Sequence, residues 1–202
     1  MPGANDEGLT AAIILAAGAS RRMGRNKLLL RIGGETLVRR AVARATAAGM
    51  SPVIVVLGHD PDSIRHELAG LSCQFVANPD YFGPTGGSLH RGLEALPDRV
   101  GSAVVMLADM PMITVEMLQS MVARARNSPA PAVASRYGDV LAPPLLFRRS
   151  LFAELLAWQG EGCGKQVVLR HQDEAIYLDW PVEALADIDT PGDLEILLRP
   201  GA

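Results

Sequence analysis

The chain has 202 residues, 49% of them hydrophobic and 20% charged, with a formal net charge of −3. That is enough apolar material for a globular domain with a sizeable core, and the slightly acidic balance argues against a nucleic-acid or anionic-membrane surface. Two cysteines, Cys73 and Cys163, lie far apart with no partners at ligand spacing, which speaks against a disulfide framework or structural zinc and suits a cytoplasmic protein.

Met1 to Gly8 is polar and small and reads as a flexible leader. No run of about 18 apolar residues follows, so no transmembrane helix is expected. Ala11 to Leu15 reads as a fully buried strand. It empties into Ala16, Ala17, Gly18, Ala19 and Ser20, and then Arg21, Arg22, Arg25 and Lys27 fall within seven positions. Leu37, Val38, Ala41, Val42 and Ala45 recur at helical spacing, with Gly49 placed to end the helix. Pro52 to Leu57 is a second strand, Asp60-Pro61 opens a short helix through Leu68, and Cys73 to Val76 is a third strand. Asn78 to Thr85 reads as a loop and Gly86 to Leu96 as a helix.

Ser102 to Ala108 is a fourth strand with Asp109 at its exit, and Thr114 is a fitting N-cap for a helix through Ala125. Pro131 to Ser135 is a strand. Leu141 to Phe147, interrupted by Pro143-Pro144, reads as a loop running into an edge strand. Leu151 to Trp158 is a helix, and Gly160, Gly162 and Gly164 mark a loop. Lys165 to His171 is a short helix, Ala175 to Leu178 a strand, and Pro191 begins a final helix through Leu198. Strands alternating with helices predict a three-layer α/β/α fold with a mostly parallel, Rossmann-like sheet and a small antiparallel extension. In such sheets ligands bind beyond the carboxyl ends of the strands, where Gly18, Asn78 and Asp109 collect.

The first loop is built for a polyphosphate: small residues admit a ligand to the backbone N–H groups, and cations surround them. Gly18 and Gly24 do not have the dinucleotide spacing, and Lys27 does not belong to a Walker A loop. What remains, L-A-A-G-x-S-x-R-M-G-x-x-K, resembles the signature of nucleotidyltransferases that make nucleoside-diphosphate derivatives, above all the molybdenum cofactor cytidylyltransferases and guanylyltransferases. Three further stretches resemble the same family. Ala108-Asp109-Met110-Pro111 resembles (G/A)-D-x-P, whose Asp binds Mg²⁺. Asp187-Ile188-Asp189-Thr190-Pro191 resembles D-[IV]-[DN]-T-P, where an acidic or amide residue reaches back to the metal. Asn78, Gly83 and Ser88 resemble the loop lining nucleobase and ribose.

The resemblance spans Ala11 to Leu198 and implies a magnesium-dependent nucleotidyltransferase in one domain, residues 9–202. Residues 9–115 would form its nucleotide-binding half and 116–200 its acceptor half. Leu15, Ala16, Ala17, Gly18, Ser20, Arg21, Gly24, Lys27, Asn78, Gly83 and Ser88 would bind nucleotide. Arg22, Lys27 and Asp109 would serve catalysis. Asp109 with Asp189 would hold magnesium, a cation suited to one or two carboxylates beside substrate phosphates. Asp187 is the alternative second ligand, and Asp189 or Thr190 would also suit an N-cap before Pro191.

The Ala16-Ala17-Gly18 form favours CTP, since guanylyltransferases more often read L-A-G-G and the Ala17 methyl narrows the pocket. The implied acceptor is molybdopterin, a phosphate-bearing pterin, with a molybdoenzyme as recipient of the product. GTP with molybdenum cofactor is the second reading, methylerythritol phosphate cytidylyltransferase the third, and a non-catalytic cofactor carrier a reading of another class. Ala142-Pro143-Pro144-Leu145-Leu146-Phe147 and Gly160 to Lys165 resemble the family's acceptor region less sharply. The four histidines share no metal or triad spacing.

Overall fold

The computed structural model describes residues 8–18, 26–83, 85–186 and Asp193. The leader before Gly8, the basic positions 19–25 and the stretch 187–192 lie outside them, as does almost all of the final helix.

Strand β1 (Leu9–Ala16) is buried from Thr10 to Ile14. A two-residue hairpin, β2 (Arg31–Ile32) and β3 (Glu35–Thr36), supplies the antiparallel extension. Its turn is Gly33-Gly34, with φ of +60° and +84°, the paired positive values that two-residue hairpins require. Helix α1 (Leu37–Ala47) follows, capped by the Thr36 hydroxyl, which accepts from the Arg39 N–H, and it ends just before Gly49. Next come β4 (Val53–Leu57), α2 (Pro61–Glu67), β5 (Gln74–Ala77), α3 (Thr85–Glu94) and β6 (Val100–Leu107). The second half contains α4 (Val115–Arg126), capped by Thr114 as expected, β7 (Ala132–Tyr137), β8 (Val140–Arg148), α5 (Phe152–Ala157), α6 (Cys163–Arg170) and β9 (Ile176–Trp180). Short 3₁₀ turns lie at Lys27–Leu29, Arg149–Leu151 and Val182–Leu185.

Seven strands form one sheet in the order β5-β4-β1-β6-β8-β7-β9. β5, β4, β1 and β6 are mutually parallel, as are β7 and β9, and β8 runs antiparallel between β6 and β7. Both faces are covered, so the central strands are apolar over most of their length, β4 at every position, and successive residues alternate sides. Ala12, Ile14, Val53, Val55 and Leu57 meet α1, α2 and α4. Ala11, Ile13, Ile54 and Val56 meet α3, α5 and α6. α3 comes so close that a Cβ on Gly92 would lie 2.4 Å from Ile13 Cγ2.

β8 differs from the expected edge strand: it is nine residues long and sits inside the sheet. Its prolines fit for a local reason. Pairing with β6 stops at Val105↔Leu145, and the register with β7 shifts between Ala134 and Arg136. Pro143 and Pro144 therefore occupy the stretch where no ladder N–H is demanded. The buried Tyr137 hydroxyl donates to the Pro143 carbonyl there, at 3.0 Å, and burial pushes that phenol up to about 12. The loop marked by Gly160, Gly162 and Gly164 also differs in part, because α6 already begins at Cys163 and takes in Gly164, while Lys165 is helical as expected.

Candidate functional site

Three parallel strands deliver the site. β1 ends at Ala16, β5 at Ala77 and β6 at Leu107, so Gly18, Asn78 and Asp109 emerge at one carboxyl edge. Leu15 bonds through its carbonyl to the Ala108 N–H at 3.2 Å, and the Ala17 carbonyl accepts from the His59 N–H at 3.2 Å. The backbone leaving β1 is thus held from both neighbouring loops. Ala16 and Ala17 are buried, Ala17 at 6% exposure, so little of its methyl faces outward. At Gly18, a side chain would meet nothing within 4 Å among the described residues. Ser20, Arg21, Arg22 and Gly24 lie outside the described residues.

Lys27 is placed by a small scaffold. Asn26 accepts the Leu28 N–H at 3.1 Å and donates from its Nδ2 to Asp60 Oδ2 at 3.2 Å. Leu28 is buried and pins the turn. Asp60, at φ 52°, follows β4 in the left-handed region, and the Ser63 hydroxyl holds its carboxyl below the usual carboxylate range, with Asn26 assisting. The result is an ion pair between loops of distant sequence: Lys27 Nζ lies 2.6 Å from Asp109 Oδ2, with side-chain exposures of 12% and 18%. Such a pair is shielded enough to be stronger than a surface pair, yet open enough to exchange partners.

The Asp109 loop is tied down from behind. Arg44 of α1 donates from its Nη1 to the carbonyls of Pro111 and Ile113. Burial pushes this guanidinium down from its usual range, though not to where an arginine loses its charge. Sequence reasoning missed Arg44, Asn26 and Asp60. For Asn26, the signal was an amide one residue before a lysine and two leucines; for Arg44, no local pattern indicates what a helix end will reach.

Asn78 is 3% exposed and both ends of its amide are engaged. Its Nδ2 donates to Ser88 Oγ at 2.9 Å and its Oδ1 accepts the Asp80 N–H at 3.1 Å. Asn78 and Ser88 therefore brace the loop after β5 against α3. Gly83, on that loop, is solvent-facing.

A cavity of about 170 Å³ lies between α3 and α6 over the sheet. Leu15, Leu89, Val105, Leu107, Pro143 and Leu145 make its walls, and Gly162, Cys163, Gly164 and Lys165 close one side. The Cys163 thiol donates to the Leu155 carbonyl, and burial pushes its pKa up to about 11, so it meets the cavity as a neutral S–H. Lys165 is exposed.

Among the described residues, no group of three or more His, Cys, Asp or Glu could cage a metal. The residues fit magnesium in another way: Asp109 offers one accessible carboxylate, and magnesium needs only one or two when substrate phosphates complete its shell. Asp187 and Asp189 lie outside the described residues. No described helix is long and apolar enough to cross a membrane.

Comparison with known proteins agrees with this architecture. The sequence model described as the MobA-like NTP transferase domain matches residues 12–175. Rv0371c from Mycobacterium tuberculosis H37Rv superposes with a TM-score of 0.81 at 25% identity, covering 95% of this chain and 98% of that one, and it has also been solved in complex with manganese. Molybdopterin-guanine dinucleotide biosynthesis protein A from Archaeoglobus fulgidus superposes with a TM-score of 0.66 at 19% identity, over 94% and 97% of the two chains. The bifunctional protein GlmU of Rhodococcus opacus is 31% identical over 134 residues, 62% of this chain, and this chain spans 27% of its length.

Proposed function

The chain belongs to the MobA-like NTP transferase family, and on that premise we propose that it transfers a nucleoside monophosphate from an NTP, with CTP preferred, to a phosphate-bearing pterin acceptor of the molybdopterin type, releasing pyrophosphate. The Lys27–Asp109 pair carries this reading. A cation from the Lys27–Leu29 turn and a carboxylate from the exit of β6, brought to 2.6 Å, are what a metal-bound triphosphate engages: the ammonium takes phosphate oxygens and the carboxylate takes the metal.

The acceptor phosphate attacks the α-phosphorus in line and pyrophosphate leaves. No nucleophilic side chain is asked for; positioning and charge neutralisation do the catalysis. Backbone N–H groups at Ala17 and Gly18 meet the nucleotide, and Lys27, with Arg22 by the family resemblance, neutralises the triphosphate. Asp109, with Asp189 by the same resemblance, holds the magnesium, which supplies Lewis-acid polarisation of the phosphate oxygens. The manganese complex of Rv0371c supports a divalent cation in this fold. Asn78 and Ser88 keep the nucleobase loop in place, with Gly83 giving close backbone approach.

The apolar cavity supports the acceptor class. A sugar phosphate presents hydroxyls on all sides, and each one buried without a partner costs about 1–3 kcal/mol. Six apolar walls suit the faces of a flat ring system, while exposed Lys165 can meet its phosphate. In the same way, the cytosine ring asks less space of the loop than guanine.

The test is to incubate the protein with Mg²⁺, each NTP in turn and molybdopterin, and follow pyrophosphate release. CTP with molybdopterin should give the highest kcat/KM. A preference for GTP overturns the cytidylyl reading. Turnover with sugar phosphates instead of the pterin overturns the acceptor. Nucleotide binding without pyrophosphate release indicates a carrier.

A further inference from the structure

A run of three aromatic rings stands at the rim of the β1 loop, and neither the family signature nor the core accounts for it. His59 and Tyr81 rings lie 6.2 Å apart between centroids, inclined by 48°; Tyr81 and Phe82 lie 4.2 Å apart, inclined by 33°. They come from two loops, one after β4 and one after β5.

Gly58 makes the approach of these loops to the β1 exit feasible. A Cβ there would lie 2.4 Å from Tyr81 Cβ and 2.6 Å from the Ala17 carbonyl oxygen. Tyr81 and the nucleotide loop are thus separated by one residue without a side chain. The Gly58 neighbour, His59, donates its N–H to that same Ala17 carbonyl. Braced Asn78 fixes the loop from which Tyr81 and Phe82 project. Phe82, however, is 65% exposed, so its contribution to the folded core is small. A large ring held on a braced loop, backed by a second ring and exposed over most of its surface, has the form of a stacking platform.

We propose that Phe82, backed by Tyr81, stacks on the nucleobase of the bound NTP and is a binding residue of the donor site. This rests on the nucleotidyl-transfer reading. The ring supplies affinity to any base through its face, because every base has a π-face, and leaves the choice between cytosine and guanine to the backbone of the loops. It acts on the base alone, not on the triphosphate.

That separation gives the test. The protein and its Phe82→Ala and Phe82→Trp variants are titrated calorimetrically with CTP and with inorganic tripolyphosphate. Phe82→Ala should lose roughly 5- to 150-fold in CTP affinity, with tripolyphosphate affinity unchanged. Its KM for CTP should rise while kcat stays near wild type. Phe82→Trp should retain CTP affinity, and its added indole fluorescence should be quenched by CTP and not by tripolyphosphate. If wild type binds CTP and Phe82→Ala binds it equally well, the platform is overturned and nucleotidyl transfer stands. Equal loss for tripolyphosphate also overturns it, because the ring would then act through the phosphate loop. If wild type binds no NTP, both readings fall together.

Discussion

Lys27 and Asp109 are each other's partner before any substrate arrives. On the proposed reading, an entering metal would take the carboxylate from the ammonium and an entering triphosphate would draw the ammonium away, so each ligand would help the other by the same factor. Lys27→Ala should therefore weaken NTP use by roughly 10- to 150-fold, the range of a lost charge-assisted contact of about 1.5–3 kcal/mol. The same variant should bind Mn²⁺ more tightly than wild type when no nucleotide is present, readable by the loss of the free-ion signal in electron paramagnetic resonance. Weaker Mn²⁺ binding in Lys27→Ala would contradict a competition for Asp109. Asp109→Ala should remain folded, because its side chain is not part of the core, and should lose turnover entirely. At this scale the sequence was legible where chemistry sits at a strand exit: Gly18, Asn78 and Asp109 emerge together as the alternation of strands and helices predicts. It was not legible that Asn78 and Ser88 would spend their polar groups on each other, because that depends on how α3 packs.

Between elements, the Arg44 tether and the α5–α6 junction make separate predictions. Arg44→Met leaves the Pro111 and Ile113 carbonyls without their donor, a loss of about 1–3 kcal/mol for each buried group left unmet. Denaturant titration should register the stability loss, and kcat should fall more than NTP affinity, since the loop that moves bears Asp109. At the α5–α6 junction, His171 Nε2 lies 2.7 Å from Glu154 Oε2. The hydrogen bond to Glu154 raises the His171 pKa, and the bond from His171 lowers that of Glu154. The raised histidine stabilises fully below its unfolded value near pH 6.5, and that contribution disappears as pH climbs through the folded value; the lowered carboxylate stabilises fully above about pH 4.3 and loses its contribution as pH falls through its folded value. Thermal unfolding of wild type against His171→Gln should thus differ most between about pH 4.3 and 6.5, by ~0.2–1 kcal/mol for a partly exposed pair. A difference that is flat with pH would mean the histidine acts by packing alone. Element boundaries came out of the sequence wherever caps and apolar runs agreed, as at Thr114 and in β1, β4 and β6. β8 did not, because Pro143-Pro144 reads locally as a break, whereas the end of the β6 ladder and the register shift on β7 remove the need for those N–H groups.

For the whole molecule, the strands within residues 9–115 (β5, β4, β1 and β6) and those within residues 116–200 (β8, β7 and β9) meet at a single ladder inside one continuous sheet. β6 pairs with β1 of the first half on one side and with β8 of the second on the other, from Ser102↔Arg148 to Val105↔Leu145. The three-layer architecture and its parallel centre were legible because buried strands alternate with amphipathic helices. The interior place of β8 was not, since pairing partners far apart in sequence leave no local mark. The consequence concerns how the protein comes apart. With β6 shared, neither half can lose its strands without stripping a ladder and an apolar face from the other, so opening should be all-or-none. Amide exchange should find its slowest protons in β1, β4, β6 and β8 alike, released at one common free energy, and mild proteolysis should yield no resistant fragment ending near residue 115. Two separate exchange plateaus, one for each half, would show instead that the shared strand does not weld them.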